Sequence, residues 1–202
     1  MNVHSDNQTF IETARRAQLV DCAIQAIAEW GYARASMAKI AARAGVSTGV
    51  ISYHFGSKEE LIEQVVATVV TVGKEAIEPH VRAAGGARAG LRALIITNLD
   101  FIRTHPAYMR AMVEIIARGG PVDGSGPYAG HGDAAIEDVQ KVLHWGQQTG
   151  EFRHLDTRVV AVALRAAIDA IATRLSAEPD LDLVRYGEQL ADMFDFATRK
   201  GQ

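Results

Sequence analysis

Two short stretches with helical spacing meet at Gly45, and they constrain the local fold more than any other feature of the chain. Ser36 can cap the first stretch, and Ser47 can cap the second, which ends near His54 before Gly56. The tight turn between them needs the positive φ that glycine adopts readily. This arrangement predicts two short helices joined by a turn of three or four residues.

Small and apolar residues occupy the positions where these two helices would cross. Ala41 permits close approach of the helices, and Phe55 can anchor the second helix to a core. Apolar side chains fill the angle between them, namely Ile40, Ala44, Val46 and Ile51. The spacings predict a helix-turn-helix over about 36–55, with an ordinary helical hairpin as the alternative.

The outer face of the second helix favours the helix-turn-helix over the hairpin. Its residues are small or able to form hydrogen bonds, and none is acidic: Ser47, Thr48, Gly49, Ser52, Tyr53 and His54. A solvated face would normally carry carboxylates, which a face that approaches phosphates excludes. Residues 1–58 also hold six basic and four acidic side chains, whereas the remainder holds 15 basic and 20 acidic ones.

The rest of the chain also has helical periodicity, because apolar residues recur at intervals of three and four. We predict an all-α fold with an N-terminal helix-turn-helix domain over 1–56 and a second helical domain over 57–202. Helices are expected at about 12–30, 36–44, 47–54, 57–78, 88–104, 107–118, 133–149, 156–177 and 180–199. Pro79 is expected to break the fourth helix, and the glycine-rich stretch 119–132 is expected to be a mobile loop.

Several protein classes are disfavoured by the composition. The single cysteine, Cys22, cannot build a disulfide framework or a cysteine metal site. The apolar stretches are too short to span a bilayer, and the N-terminus lacks a signal-peptide pattern, so we expect a cytoplasmic protein without membrane contact. The histidines show no metal-ligand spacing. Tyr128, His131 and Asp133 cluster, but in a predicted flexible loop that cannot hold them in a fixed catalytic arrangement. We therefore expect no enzyme activity, no metal and no cofactor.

The run SMAKIAARAGVSTGVISYHFGSKEELI (36–62) resembles the DNA-binding domain of TetR-family transcriptional regulators. The similar parts are Ile40-Ala41, Ala44-Gly45-Val46-Ser47, Tyr53-His54-Phe55 and Lys58-Glu59-Glu60-Leu61. Within the family, residues 47–52 are most similar to the regulators of choline and betaine metabolism. The resemblance implies a homodimer that binds a palindromic operator on double-stranded DNA and represses transcription until a small ligand enters the C-terminal domain. It therefore implies that residues 57–202 form a helical ligand-binding and dimerisation domain.

This resemblance and the chemistry of the side chains give the expected DNA contacts, which are Met37, Ser47, Thr48, Gly49, Val50, Ser52, Tyr53, His54 and Lys58. Hydroxyls and free amides at the start of the recognition helix can bind phosphate, and Val50 can contact a thymine methyl group. Lys58 is expected to bind a phosphate. Arg15 and Arg16 either add charge contacts or are merely solvated. The recognition helix has no Arg, Lys, Asn or Gln, so specificity would rest on Thr48, Val50, Tyr53 and DNA shape.

The last two helices carry the expected dimer interface. The stretch VVAVALRAAIDAIATRL (159–175) is apolar nearly all round, which the surface of a monomer would not tolerate. The helices at about 156–177 and 180–199 from each subunit would form a four-helix bundle. The alternative is a core formed entirely within one chain.

An effector cavity is expected between helices four and eight. Its candidate residues are Asn98, Phe101, Tyr108, Met112, His144, Trp145, Arg165 and Asp169. Arg165 and Asp169 either pair across the dimer or face the cavity. A quaternary ammonium effector would need an aromatic cage, and the aromatic content is only 6%. The alternative function is a helical protein-interaction module without DNA binding.

Overall fold

The computed structural model describes residues 3–119, 131–175 and 177–200. Over these ranges the secondary structure is nine α-helices and one isolated β-bridge, which confirms the all-α prediction. The helices are α1 (Val3–Trp30), α2 (Met37–Arg43), α3 (Thr48–His54), α4 (Lys58–Arg82), α5 (Ala87–Thr104), α6 (Pro106–Gly119), α7 (His131–Thr149), α8 (Thr157–Arg174) and α9 (Leu183–Thr198). No helix in these ranges has both the length and the apolar character needed to cross a membrane.

Two helix boundaries differ from the sequence predictions by four residues or more. The first helix begins at Val3 rather than near residue 12. Pro79 lies inside α4 instead of ending it, which corrects the predicted break. Proline has no N–H to donate to the carbonyl of Glu75. Because Glu75 is an exposed residue, water can replace that bond. The carbonyl of Pro79 still accepts a hydrogen bond from the amide of Ala83 at 3.0 Å. The loop predicted over 119–132 is shorter at both ends, because Gly119 ends α6 and residues 131–132 begin α7. Its residues 120–130 lie outside the described residues.

The described residues form two compact units. The first comprises 3–69 and 107–119, and the second comprises 70–106, 131–175 and 177–200. This division differs from the predicted domain boundary after residue 56, which stays a prediction.

In the first unit, α1 packs on α2 and α2 packs on α3. Its core is aliphatic, with one aromatic ring, and includes the fully buried side chains of Leu19, Ile24, Ile27, Ile40, Ile51, Phe55, Leu61 and Ile115. Phe55 is buried as predicted, so the end of α3 is anchored in this core.

In the second unit, α5 packs against α7, α8 and α9, and α7 also packs against α8. Two glycines allow aromatic rings to approach these helices closely. The ring of Phe152 covers Gly146 of α7, and the ring of Trp145 approaches Gly90 of α5. The amide of Phe152 donates to the carbonyl of Gly146 at 3.0 Å, so the chain turns back on α7 at that point.

Residues just after α7 also hold the N-terminus of α5 and the end of α9. Gly86 offers no side-chain cap, and the Glu151 carboxylate instead accepts hydrogen bonds from the amides of Ala87 (2.9 Å) and Arg88 (3.1 Å). These two amide bonds are the main cause that lowers the pKa of Glu151. The amide of Arg153 donates to the carbonyl of Thr198 at 2.9 Å.

Candidate nucleic-acid interface

The turn between α2 and α3 has the geometry that the sequence predicts. Ser36 accepts a hydrogen bond from the amide of Lys39, and Ser47 accepts one from the amide of Val50, both at 3.4 Å. Gly45 has a φ of +68°. These observations confirm both N-caps and the need for glycine in the turn.

The inner side of the motif is packed around three buried residues, Ile40, Ala41 and Ile51. Ala44 and Val46 are half-buried, so they lie at the edge of this core. Because Ile51 is the only buried residue of α3, nearly the whole recognition helix is available on its outer side.

The outer side of α3 brings together most of the predicted DNA contacts. Ser47, Thr48, Gly49 and Ser52 are exposed, whereas Met37, Val50 and His54 are half-buried. The Tyr53 side chain is 76% exposed and meets the His54 ring edge-on, with 5.2 Å between ring centroids. A large aromatic side chain left so exposed is unusual for a residue that only packs, and its hydroxyl can donate to a phosphate or a base edge.

Lys58, the predicted phosphate contact, begins α4 and is half-buried. Its Nζ donates to the carbonyl oxygen of Tyr32 at 2.8 Å and lies 4.3 Å from the centroid of the Tyr32 ring. Burial lowers the pKa of Lys58, an effect that nearby Glu59 partly opposes. An ammonium group has three N–H donors, so the bond to Tyr32 leaves two others for a phosphate.

Arg15 and Arg16 are neighbours on α1 with different surroundings. Arg15 is exposed and donates a hydrogen bond to Gln18, three residues away, at 2.8 Å. Arg16 instead reaches the end of α3, where its guanidinium donates to the His54 carbonyl and to the Glu60 carboxylate. Sequence reasoning treated the two arginines alike, because the partners of Arg16 are about 40 residues away along the chain.

A basic cluster beside the motif was missed by sequence reasoning. Lys39 Nζ and the central guanidinium carbon of Arg43 lie over the Trp30 ring, at 5.7 and 5.3 Å from its centroid. Arg34 Nε donates to the Trp30 carbonyl at 2.6 Å. Arg43 also pairs with Glu29 at 2.6 Å. The four-residue spacing of Lys39 and Arg43 on one face of α2 was the available signal.

Among the predicted effector residues, three in the second unit form one polar group. Arg165 of α8 donates through Nε to Asp169 at 2.9 Å and through its NH1 nitrogen to the Oδ1 of Asn98 at 3.2 Å. Asn98 is buried on α5 and donates to the carbonyl of Leu94. Arg165 and Asp169 thus pair within one chain, an arrangement that the sequence prediction did not include.

The other predicted effector residues have contacts of their own. In the second unit, Phe101 stacks on His105 at 4.3 Å between centroids, His144 Nε2 lies 3.1 Å from the Thr157 hydroxyl, and Trp145 packs near Gly90. Tyr108 and Met112 belong to the first unit. A cavity shared by all eight residues stays a prediction.

A cleft of about 580 Å³ in the second unit involves none of the predicted effector residues. Its lining is Gly85, Gly86, Arg88, Ala89, Leu91, Arg92, Glu151, Ala191, Asp192 and Asp195. Its charged side chains are paired: Arg88 binds Asp195 in a bidentate manner, at 2.7 and 2.8 Å, and Arg92 binds Asp192 at 2.6 Å. These pairs tie α5 to α9 and leave little free charge for a ligand.

Apolar side chains remain exposed on α8 and α9. On α8 they are Val159, Val162, Ala163, Ala166 and Ala170, and on α9 they are Val184, Met193 and Phe196. The α8 residues are one, three or four positions apart and share one side of that helix. On α9, Met193 and Phe196 are three positions apart and share a side, whereas Val184 lies nine positions before Met193 and on the opposite side. The inner sides of the same helices are buried on α5 and α7.

Residues 19–65 match the family described as bacterial regulatory proteins, tetR family. The HTH-type transcriptional regulator BetI of Escherichia coli O139:H28 is 36% identical over 103 residues, which are 50% of this chain and 53% of that protein. The chain thus matches about half the length of these curated relatives.

Solved structures share the fold along nearly the whole chain. A regulator from Saccharomonospora viridis in complex with choline has a TM-score of 0.81 at 20% identity, covering 94% of this chain and 100% of that one. The regulator FadR from Bacillus subtilis, in complex with stearoyl-CoA, has a TM-score of 0.80 at 22% identity, covering 88% and 96%. At these identities the likeness shows the fold alone. The tetR-family match itself applies to residues 19–65, the segment that contains the helix-turn-helix.

Proposed function

We propose that this protein is a ligand-responsive transcriptional repressor that binds a palindromic DNA operator. The observation that carries the proposal is α3, a recognition helix whose outer side is polar, lacks acidic residues and presents a 76% exposed Tyr53. It is supported by the tetR-family match over residues 19–65, which favours DNA binding over a helical protein-interaction module. This function requires the protein to be in the cytoplasm, where bacterial DNA lies.

We propose further that the repressor is a homodimer formed through α8 and α9. Exposed apolar side chains at helical spacing, such as Val159, Met193 and Phe196, are what such an interface needs. Two helices from each protomer would form a four-helix bundle around a two-fold axis. A two-fold axis in the protein explains why the operator would be palindromic.

The effector is proposed to be a small molecule that binds the helical domain. The similar proteins include BetI, and choline and stearoyl-CoA are the molecules in the two similar structures. Choline would need an aromatic cage, and the aromatic content of the chain is only 6%. No cofactor is required for this function.

The test is a fluorescence-anisotropy titration of the chain against the DNA immediately upstream of its own gene, with scrambled DNA of equal length for comparison. We expect preferential binding of the upstream DNA and release by an effector. Tyr53→Ala should abolish the preference while leaving the thermal unfolding midpoint nearly unchanged, since the side chain is exposed. Equal binding of both DNAs by the wild-type chain, or an unaffected Tyr53→Ala variant, would overturn the proposal.

A further inference from the structure

We infer that Arg16 is a positioning residue that fixes the orientation of the recognition helix, and so sets operator specificity without contacting DNA. The inference rests on the proposed DNA-binding function. It concerns a side chain of α1, outside the helix-turn-helix itself.

The Arg16 guanidinium binds three different groups around the end of α3. One terminal nitrogen donates to the carbonyl oxygen of His54, and the other donates to Oε1 of Glu60 at 3.1 Å. Its central carbon lies 4.2 Å from the centroid of the Phe55 ring. A single planar group thus contacts the last residue of α3, the residue after it, and the first turn of α4.

The recognition helix needs such support because it is short and sparsely buried. It has seven residues, and only Ile51 is buried. Helices of this length have little stability of their own, and their last carbonyl groups lack helical partners. The Phe55 amide satisfies the carbonyl of Ile51 at 2.9 Å, and Arg16 satisfies that of His54.

Glu60 connects the same point to α4. Its carboxylate accepts a hydrogen bond from the Gly56 amide at 2.8 Å as well as the bond from Arg16. The Gly56 bond first, and the Arg16 bond second, lower the pKa of Glu60. Arg16 and Glu60 together hold the turn from α3 into α4 from both sides.

A change of this geometry should affect specific and non-specific DNA binding differently. Base-edge contacts by Thr48, Val50 or Tyr53 depend on the precise placement of α3. Phosphate contacts supply non-specific binding and depend mainly on charge. Lysine keeps the charge of Arg16 but lacks the planar fork that reaches two acceptors at once.

The experiment compares Arg16→Lys with the matched control Arg15→Lys, which makes the same charge-preserving change at the exposed neighbouring position. Affinity is measured for upstream DNA and scrambled DNA over a series of salt concentrations. We expect Arg16→Lys to lose about tenfold in affinity for upstream DNA, comparable to one mismatched base pair, with unchanged affinity and salt slope for scrambled DNA. Arg15→Lys should match the wild type on both DNAs.

Circular dichroism establishes that each variant is folded at the assay temperature. Should Arg16→Lys be unfolded there, Glu60→Gln provides the same test, because it weakens the Arg16 ion pair and should also lower specific binding alone. A parallel loss on both DNAs, or a lower salt slope in a variant that is folded, would make Arg16 a phosphate contact and overturn the inference. Wild-type affinity in the variants would overturn it too. A wild-type chain that fails to prefer its upstream DNA would instead overturn the proposed function.

Discussion

The ring of Phe152 lies so close to Gly146 that a Cβ added at residue 146 would be 2.0 Å from its Cδ2 atom. Carbon atoms that are not bonded to each other do not approach to this distance. The segment after α7 can therefore pack on that helix in this way only with glycine at residue 146. The ring itself is almost fully buried. This contact therefore fixes how the segment between α7 and α8 packs on α7.

Gly146→Ala is predicted to destabilise the protein. Alanine would gain about 1 kcal/mol over glycine as a helix former, but displacing a buried ring costs about 1–3 kcal/mol, or more where the backbone must move. We expect a net loss of about 2 kcal/mol in the free energy of unfolding, measured by urea denaturation. Gly85→Ala is the control, since a Cβ there meets no atom within 4 Å. Equal stability of the two variants would contradict the prediction.

Glu151→Gln is predicted to reduce stability in a pH-dependent way. The pKa of Glu151 is lowered in the folded protein, chiefly by the amides of Ala87 and Arg88. The ionised carboxylate therefore contributes its full stabilisation above the unfolded-state pKa of about 4.3, and the contribution is lost as the pH falls through the lower folded-state pKa. Urea denaturation should show that the free energy of unfolding at pH 7 is lower for Glu151→Gln than for the wild type. This difference should shrink on acidification below about 4.3.

The control for that comparison is Glu63→Gln, which removes a charge at an exposed position of α4. It should stay close to the wild type across the pH range. If the difference in the free energy of unfolding between the wild type and Glu151→Gln stayed constant with pH, the bonds to α5 would not depend on the charge of Glu151.

Met193→Glu is predicted to convert the proposed dimer to a monomer. Met193 is 65% exposed in the single chain, and the proposed interface would bury it. An unpaired buried carboxylate costs about 3–5 kcal/mol, which corresponds to at least a hundredfold increase in the dimer dissociation constant. Multi-angle light scattering measures the change. Ile116→Glu, at a 60% exposed position on α6, should remain dimeric; loss of the dimer in both variants would argue against an interface on α9.

Lys58→Ala is predicted to have two separable effects. Loss of the bond to the Tyr32 carbonyl should reduce the free energy of unfolding by roughly 1 kcal/mol, a value at the low end because the ammonium is only half-buried. Loss of a phosphate contact should lower the salt slope of DNA binding by about one unit. Lys74→Ala, at an exposed position on the same helix, should change neither. A stability loss without a change in slope would assign Lys58 a purely structural role.

Local signals made the helix-turn-helix predictable from sequence. Ser36, Gly45 and Ser47 act on residues within three or four positions of themselves, so their roles follow from spacing alone. The extension of α4 past Pro79 was not predictable in this way, because it depends on whether water can reach the freed carbonyl.

The interactions that sequence reasoning missed join residues that are far apart along the chain. Arg16 and Glu60 are 44 positions apart, and Glu151 caps a helix 64 positions before it. Glu151 follows a glycine with positive φ, and nothing local distinguishes it from a solvated acid. Predicting such partners requires the packing of the helices, which periodicity alone does not give.

The length of α3 limits how much DNA sequence one protomer can recognise in the proposed complex. Seven residues at a rise of about 1.5 Å make a rod about 10 Å long, which spans about three base pairs at 3.4 Å each. A three-base-pair word occurs by chance about once in 64 positions, so a pair of them is still a common combination in a genome. The distance between the two recognition helices therefore has to carry information of its own, and insertion of one base pair at the centre of the operator would be as disruptive as a change in either half.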